Sequence, residues 1–421
     1  MQERPLVTVF TPSHRNTYLD ECFTAMLNQT YQNWEWIVLL NGGSRWRPPV
    51  QDDRIRLIET PEVAGVGAAK QMACAIAKGE YLIEYDHDDI LTPNAVAEVV
   101  FAFLERPDVG LVFSHFAQIR ADGSRCDERF NEAMGWTYED VEINGKNFLQ
   151  VQQFEQFPST VSYIWFAPNH VRAFRRSSYE EVGGYDPTLD ILDDQDLMCR
   201  LYERFDFHLI DECLYLQRIH EHNTQLDPET NARIQQMTVE LYDRYVERNA
   251  LAWARRRGLV ALDFGAAHRK APGYLGVDIH SGDGVDIVAD LTQGLDMADG
   301  SVGVIRAVDF LGHITDKVAI FNEIYRLLAH GGMLISLTPS TDGRGAFQDP
   351  THVAFYNENS FWYFANSQYR AFVPSIACRF QVSRLVTFYP DDWHEQNFIS
   401  YVNANLVAVK SGPRIAGALH V

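Results

Sequence analysis

Short apolar segments alternate with amphipathic segments along the N-terminal part of the chain. Residues 6–11, 34–40 and 81–84 have the composition of buried strands, and intervening segments such as 65–78 carry small and apolar residues at helical spacing. This alternation predicts an α/β fold with a mostly parallel, doubly wound sheet. Because the carboxyl ends of parallel strands share one edge, the polar residues after each strand are expected to converge on one crevice.

The segment that follows residues 81–84 carries Asp86, Asp88 and Asp89 within four positions. Carboxylates this close repel one another and lose hydration, a cost that a cation or hydrogen-bond donors offset. One interpretation is a divalent-metal site that holds a diphosphate. The alternative is an acidic turn that caps the next helix, with Asp89 or Thr92 near the N-cap and Pro93 at the first helical position.

Length and composition limit the class of protein. A chain of 421 residues exceeds what one core usually fills, so two domains are expected. No run of about 18 apolar residues occurs, so no membrane span is expected. The six scattered cysteines are typical of reduced thiols, and together with the absence of a signal-peptide pattern they predict a cytoplasmic location. The net charge of -21 disfavours nucleic acid as a partner without excluding it.

Five motifs follow one another in the first 225 or so residues: Thr11–Arg15, Asn41–Ser44, Gly67–Gln71, Asp86–Asp89 and Val182–Asp186. In this order they resemble the motifs of family 2 glycosyltransferases of the GT-A fold. The resemblance implies an inverting transferase that uses a nucleotide-sugar donor and a glycan or other hydroxyl acceptor. Asn41 stands where an aspartate is usual and Lys70 where an arginine is usual, so the base stays open, with a UDP-sugar as the default donor.

The resemblance assigns roles to particular side chains. Those implied to bind the nucleotide-sugar are Thr11, Pro12, His14, Arg15, Asn41, Lys70, Asp86, His87 and Asp88. Asp86 and Asp88, with His220 as a further ligand, are implied to bind Mn²⁺ or Mg²⁺, and His222 is a weaker alternative to His220. Mixed carboxylate and imidazole ligands suit these ions, which would act as a Lewis acid on the departing diphosphate.

A second acidic cluster, Asp190–Asp196, opens a predicted helix. Carboxylates favour the first turn of a helix, but four acids in seven positions exceed what capping requires. Displacement at an anomeric carbon needs a carboxylate to take the proton of the acceptor hydroxyl. In the resemblance Asp193 and Asp194 fall on a Glu-Asp pair whose second member is the general base. Asp194 is therefore the predicted base, with Asp193 or Asp196 orienting it or the acceptor.

The rest of the N-terminal half is less specific. Residues 136–170 are rich in aromatic side chains, which stack on sugars but also fill cores. We assign the acceptor site to this region, which serves as either a lid or a specificity insert. The predicted division of the chain is a glycosyltransferase domain at 1–225, a helical linker at 226–257 and a second domain at 258–421.

In the C-terminal half, short apolar segments end in Asp263, Asp278 and Asp290, and a glycine, Gly265, follows the first of them. These residues, with Glu323–Gly332, resemble class I S-adenosylmethionine-dependent methyltransferases. The resemblance implies a Rossmann-like fold in which the three acids and Gly265 contact S-adenosylmethionine.

The same half departs from that family at functional positions. Ala266, Ala267 and His268 replace most glycines of the usual cofactor loop, and Asp309–His313 lacks an expected acid. The second domain either methylates the glycan or is inactive. Asp349 and His352 are either a substrate-contacting pair or part of a satisfied loop. Two other functions compete with glycan synthesis: a scaffold with two degenerate nucleotide folds, and a glycosyltransferase for hydroxylated bases of phage-type DNA.

Overall fold

The computed structural model describes residues 4–61, 65–412 and 414–415, which form two compact units. The first unit comprises the residues up to Glu132, with Trp136–Gln156 and Val161–Tyr245. The second comprises Ala133–Gly135, Phe157–Thr160 and the residues from Val246 onward. Within the described residues, no helix is both long and apolar enough to cross a membrane.

The first unit is built on one mixed sheet. Its strands are β1 (Val7–Ser13), β2 (Trp34–Leu40), β3 (Ile55–Glu59), β4 (Tyr81–Glu84), β5 (Ile90–Leu91), β6 (Val109–Arg120), β7 (Thr137–Ile143), β8 (Lys146–Gln152), β9 (Arg172–Arg175) and β10 (Asp206–Ile219). The order across the sheet is β3-β2-β1-β4-β9-β6-β10-β5. Strands β3, β2, β1 and β4 run parallel, as the alternation predicted.

Strand β9 interrupts the parallel order, because it pairs antiparallel with both β4 and β6. The hairpin of β7 and β8 pairs onto β6 through β8. Residues 136–170, predicted as an acceptor-binding insert, therefore contain a hairpin of the main sheet and end just before β9.

Helices cover this sheet because its central strands are buried on both faces. The helices of the first unit are α1 (Leu19–Leu27), α2 (Val66–Ala75), α3 (Ala95–Glu105), α5 (Arg176–Glu181) and α6 (Asp193–Tyr202), whereas α4 (Pro158–Val161) lies largely in the second unit. Helix α7 (Pro228–Arg256) follows as one continuous helix. The compact units divide within it, after Tyr245.

The start of α2 is held close to the turn that precedes α6. A Cβ atom on Gly67 would lie 2.3 Å from the carbonyl oxygen of Asp186, so only glycine fits there. The N–H of Gly67 donates to the carbonyl oxygen of Leu189 at 3.1 Å. This approach brings Lys70, one turn further along α2, to the first turn of α6.

The second unit contains a sheet of β11 (Val260–Phe264), β12 (Leu275–Asp278), β13 (Ile287–Val288), β14 (Val302–Val308), β15 (Leu328–Pro339), β16 (Phe380–Phe388) and β17 (Tyr401–Ala408). The order is β13-β12-β11-β14-β15-β17-β16. The first five of these strands run parallel, and β17 is antiparallel to both neighbours. The accompanying helices are α8 (Lys317–Leu327), α9 (Glu358–Ala365), α10 (Ser367–Arg370) and α11 (Asp392–Gln396).

The connection from β11 to β12 is shorter than parallel neighbours usually need. It covers residues 265–274, all of them described, and they form no helix. The end of α7 packs there instead: a Cβ on Gly273 would lie 2.9 Å from Leu251, and one on Gly303 would lie 2.4 Å from Ala254.

Candidate active site

The carboxyl ends of β1, β2 and β4 bring the first predicted motifs to one edge. The N–H of Asn41, after β2, donates to the carbonyl oxygen of Ser13 at 2.7 Å. The rings of His14 and His87 lie edge to face with centroids 5.0 Å apart. Burial lowers the pKa of His87, so this imidazole is neutral at pH 7. Arg15 is exposed at the same edge.

Thr11 points away from this edge. Its hydroxyl oxygen accepts a hydrogen bond from the indole N–H of Trp36 at 2.9 Å inside the sheet. Thr11 is fully buried, and the neighbouring Pro12 is half-buried. Of this first motif, His14 and Arg15 are therefore the side chains available to a ligand.

Asp88 forms a close pair with His220. The His220 Nε2 atom lies 2.8 Å from the Asp88 Oδ2 atom. The adjoining strand β10 supplies Arg218, whose Nε donates to the carbonyl oxygen of Asp88 at 2.7 Å and whose backbone N–H donates to Asp89 Oδ1 at 2.6 Å. Tyr18 lies between them, stacked on His220 and beneath the Arg218 guanidinium. The turn 86–89 is thus fixed from β10.

Asp86 converges with a different pair of side chains, Asp89 and His170. One ligand atom from each of these three lies within 4.8 Å of the other two. His170 Nε2 lies 3.5 Å from Asp86 Oδ2, and its ring stacks on Tyr215. Burial, with the neighbouring Glu84 carboxylate, raises the pKa of Asp86 to about 7. His170 was absent from the sequence-based site, since nothing in its local sequence distinguishes it.

Behind this turn lies a buried network of ion pairs centred on Glu84, the last residue of β4. Lys70 Nζ lies 2.7 Å from Glu84 Oε1, and Arg172 Nη2 donates to the same carboxylate at 3.0 Å. The Tyr185 hydroxyl donates to Glu84 Oε2 at 2.9 Å. Glu84 is fully buried, and although burial opposes its charge, Arg172 and Lys70 lower its pKa.

The same two cations contact the acidic pair at the start of α6. Lys70 Nζ lies 2.9 Å from Asp193 Oδ2, and Arg172 Nη1 lies 2.5 Å from Asp194 Oδ2. Only 4% of the Asp193 side chain is exposed, against 19% of the Asp194 side chain. Burial, reinforced by Asp194, raises the pKa of Asp193 to about 6, while Lys70 opposes the shift. Asp193 is therefore an internal anchor for Lys70, and Asp194 is the more exposed carboxylate of the pair.

Asp196, the other residue predicted to orient the base, is engaged elsewhere. Arg200 donates to its Oδ2 atom at 2.7 Å, and the Tyr245 hydroxyl donates to its Oδ1 atom at 2.7 Å. It fastens α6 to α7.

Replacement of Asp86 by asparagine is expected to stabilise the metal-free protein at pH 8. The raised pKa means that the Asp86 carboxylate costs stability as the pH rises from about 4 to about 7. Since 36% of the side chain is exposed, solvent screens the charge, and we expect a gain of about 1 kcal/mol at pH 8 and none below pH 4. Thermal unfolding in a chelator at both pH values measures this.

Asp122→Asn is the matched control, because hydrogen bonds from Ser124 lower the pKa of that exposed carboxyl group. Asp122→Asn is therefore expected to lower the melting temperature at neutral pH, whereas Asp86→Asn raises it. An Asp86→Asn protein that melts below the wild type at pH 8 would contradict the burial of this charge.

In the second unit, the predicted cofactor residues bond mainly to their own loops. Asp263 is buried and accepts the N–H of Ala271 at 2.8 Å, and the Arg306 guanidinium donates to it at 3.2 Å. Asp278 accepts the N–H groups of Ala267 and His280 at 3.2 and 3.0 Å.

Gly265 and Asp290 complete that set. Gly265 has a φ of +73°, and a Cβ there would lie 2.9 Å from Phe310, so glycine is required for packing as well as for the turn. Asp290 caps a short turn by accepting the N–H and hydroxyl of Thr292.

Comparisons with known families test the two resemblances, one in each half of the chain. Residues 8–183 match the model of Glycosyl transferase family 2. The first unit carries a family 2 glycosyltransferase domain. Residues 249–336 match a model described as Methyltransferase domain. These matches confirm both resemblances and their order along the chain. They also confirm the predicted fold class, a GT-A fold followed by a Rossmann-like methyltransferase fold.

The chain is similar to parts of larger proteins. The O-antigen biosynthesis protein RfbC of Myxococcus xanthus is 25% identical over 212 residues, covering 48% of this chain and 15% of that protein. The chondroitin synthase of Pasteurella multocida is 24% identical over 229 residues, covering 53% of this chain and 21% of that protein. A crystal structure of S. aureus TarS 1-349 is similar at a TM-score of 0.40 and 12% identity, covering 60% of this chain and 70% of that chain.

The chain spans from 15% to 23% of the length of the first three curated relatives that it matches.

Proposed function

We propose that the protein is a metal-dependent inverting glycosyltransferase that moves a sugar from a nucleotide-sugar donor to a hydroxyl group of a glycan. The observation that carries the proposal is the position of Asp194, which is partly exposed and held by Arg172. Arg172 also binds Glu84, the residue two positions before the acidic turn 86–89. Relatives named for O-antigen biosynthesis and chondroitin synthesis support a glycan acceptor.

The donor set around the acidic turn fits a divalent cation. Asp86 and Asp88 offer carboxylate oxygens, and His220 offers an imidazole nitrogen 2.8 Å from Asp88. Asp89 and His170 lie close enough to Asp86 to add to that set. Mn²⁺ and Mg²⁺ accept such ligands, and a bound ion would neutralise the charge of the leaving nucleoside diphosphate.

Asp194 acts as the general base in this proposal. The acceptor oxygen forms a bond to the anomeric carbon as the bond from that carbon to the diphosphate oxygen breaks. The acceptor proton passes to the Asp194 carboxylate, and the nucleoside diphosphate leaves with the bonding electron pair. The Arg172 guanidinium fixes the orientation of the Asp194 carboxylate before the acceptor binds.

Of the residues predicted to bind the nucleotide-sugar, some contact the donor in this proposal and others hold neighbouring side chains in place. His14, His87 and Arg15 line the edge, where Arg15 suits a diphosphate oxygen and Asn41 suits a base. Lys70 is buried between two carboxylates, which raise its pKa against the effect of burial. It therefore supports Asp193 and Glu84 rather than the donor. UDP remains the default nucleotide.

For the second unit we propose a role without methyl transfer. Asp263 and Asp278 accept hydrogen bonds from the 265–271 loop and from neighbouring residues, and no helix follows β11 in residues 265–274 to direct N–H groups at a cofactor. The residues present do not fit S-adenosylmethionine. Calorimetric titration of S-adenosylmethionine into the full chain tests this, and saturable binding at one site per chain would contradict it.

The nucleotide-sugar proposal is tested by thermal unfolding with a panel of nucleotide-sugars. With Mn²⁺ and donor at about 100 times its Kd, the stabilisation of about 2.7 kcal/mol raises the melting temperature by about 5–10 °C. EDTA is expected to abolish the shift, and Asp88→Asn to reduce it strongly. The matched control is Asp391→Asn, which removes an exposed carboxylate paired with His394. A donor-dependent shift that survives in EDTA would rule out the metal.

A further inference from the structure

Three side chains with metal-binding groups meet in the second unit. His313 follows β14, and Asp349 and His352 follow the adjacent parallel strand β15. One ligand atom from each lies within 4.8 Å of the other two. Atoms that share an ion about 2 Å from each of them lie about 3 to 4 Å apart, so small side-chain rotations bring these three together.

Backbone contacts fix the two loops that carry these side chains. The carbonyl oxygen of Gly312 accepts the N–H groups of Val353 and Ala354 at 2.9 and 3.0 Å. A Cβ on residue 312 would lie 2.9 Å from the His352 ring, so glycine at this position lets the imidazole lie against the main chain. The fold therefore sets the positions of the two loops that carry the three side chains.

The hydrogen bonds of His352 leave one ring nitrogen for a ligand. Its Nδ1 atom lies 2.9 Å from the carbonyl oxygen of Ala346. A carbonyl only accepts, so Nδ1 carries the proton and Nε2 carries the lone pair. Donation of the other ring N–H to a carbonyl is the arrangement found around metal-binding histidines.

Thr351 lies between the other two side chains, and its hydrogen bonds likewise leave one ligand atom available on each of them. Its hydroxyl donates to Asp349 Oδ1 at 2.5 Å, which commits the hydroxyl proton. The hydroxyl oxygen then accepts from His313 Nδ1 at 3.2 Å, which leaves the Nε2 lone pair of His313 free to bind an ion. The N–H of Thr351 also donates to Asp349 Oδ1, so Oδ2 of that carboxylate remains for the ion.

We propose that His313, Asp349 and His352 bind one divalent transition-metal ion of the zinc class. Two imidazole nitrogens and one carboxylate oxygen suit such an ion better than Mg²⁺ or Ca²⁺, which prefer oxygen ligands. Three protein ligands leave a coordination position for an exogenous oxygen ligand, as in catalytic zinc sites. The site neither uses nor requires the Asp88–His220 pair of the first unit.

Zinc binding to the chelator-treated full chain tests the site. In excess Mg²⁺, which competes for the carboxylates of the turn 86–89, calorimetry is expected to detect zinc binding at the His313–Asp349–His352 site. His352→Ala, His313→Ala and Asp349→Asn are each expected to weaken this binding by about 100-fold or more, and Thr351→Ala by about 10- to 100-fold. His394→Ala is the matched control, because His394 Nδ1 also pairs with a carboxylate, that of Asp391, at 2.7 Å. It is expected to keep the zinc.

Far-UV circular dichroism of each variant separates lost binding from lost folding. His313 and Asp349 are exposed, so their replacement answers the question even if the half-buried His352 proves necessary for folding. Unchanged zinc affinity in folded His313→Ala and Asp349→Asn proteins would overturn the proposal. So would the absence of zinc binding to the wild-type chain under these conditions.

Discussion

Replacement of Asp194 by asparagine is expected to lower the turnover of sugar transfer by about 100- to 10,000-fold with little change in donor binding. The amide cannot take the acceptor proton, but its oxygen still accepts from Arg172, which lies 2.5 Å from the carboxylate in the native protein. The geometry of the pocket is therefore kept while the base is lost. Steady-state kinetics with the donor found by thermal shift measures the change in kcat, and calorimetry measures the change in donor affinity.

Asp190→Asn is the matched control for this experiment. Asp190 belongs to the same acidic cluster, but its side chain is exposed and pairs with Arg233 at 2.9 Å. Its replacement is expected to leave kcat within about twofold, since an exposed ion pair contributes little. Near-normal turnover of the Asp194→Asn protein would place the base elsewhere.

Replacement of Glu84 by glutamine is expected to lower the free energy of unfolding of the first unit by about 3–5 kcal/mol. Glu84 is fully buried and accepts from both Lys70 and Arg172. Without its charge, two buried cations face each other with only Asp193 and Asp194 to compensate. The lowered pKa of Glu84 also means that its contribution is present above its unfolded pKa near 4.5 and is lost as the pH falls below that value.

Urea unfolding measured from pH 3 to pH 8 tests both statements. Glu180→Gln is the control, because 66% of the Glu180 side chain is exposed and its nearest cation, Arg176, lies 3.7 Å away. A double variant that also replaces Lys70 by methionine is expected to recover part of the loss, since it removes one of the unpaired cations. A loss below about 1 kcal/mol in Glu84→Gln alone would mean that water reaches this network.

The strands that the sequence predicted are those that make long apolar segments. Residues 34–40 form β2, and residues 7–11 of the predicted segment 6–11 belong to β1. Strand β9 escaped prediction because Arg172–Arg175 is four residues long and carries two arginines. This strand pairs with β4, where Glu84 lies opposite Arg172 although the two residues are distant in sequence. No local pattern encodes such a pairing.

The candidate site shows the same division. Spacing placed Asp86 and Asp88 in one turn and Asp193 and Asp194 in one helical turn, because short-range geometry follows from secondary structure alone. The sequence does not indicate that His170 lies next to Asp86, because that contact arises only when the chain returns through β9. Asp193 and Asp194 also differ in exposure, which the sequence does not indicate. The burial of Asp193 involves its ion pair with Lys70, a residue of α2 that is distant in sequence.

Helix α7 has a consequence for how this protein can be divided. At about 1.5 Å per residue, its 29 residues form a rod about 44 Å long whose first part packs Leu241 and Tyr245 against Leu192 and Cys199. A gene fragment that stops at residue 225 would encode a glycosyltransferase domain without this packing partner, and one that stops at 245 would end within the helix. Recombination or truncation at residue 245 cuts a helix instead of a loop. The two units are therefore expected to be inherited, expressed and purified together.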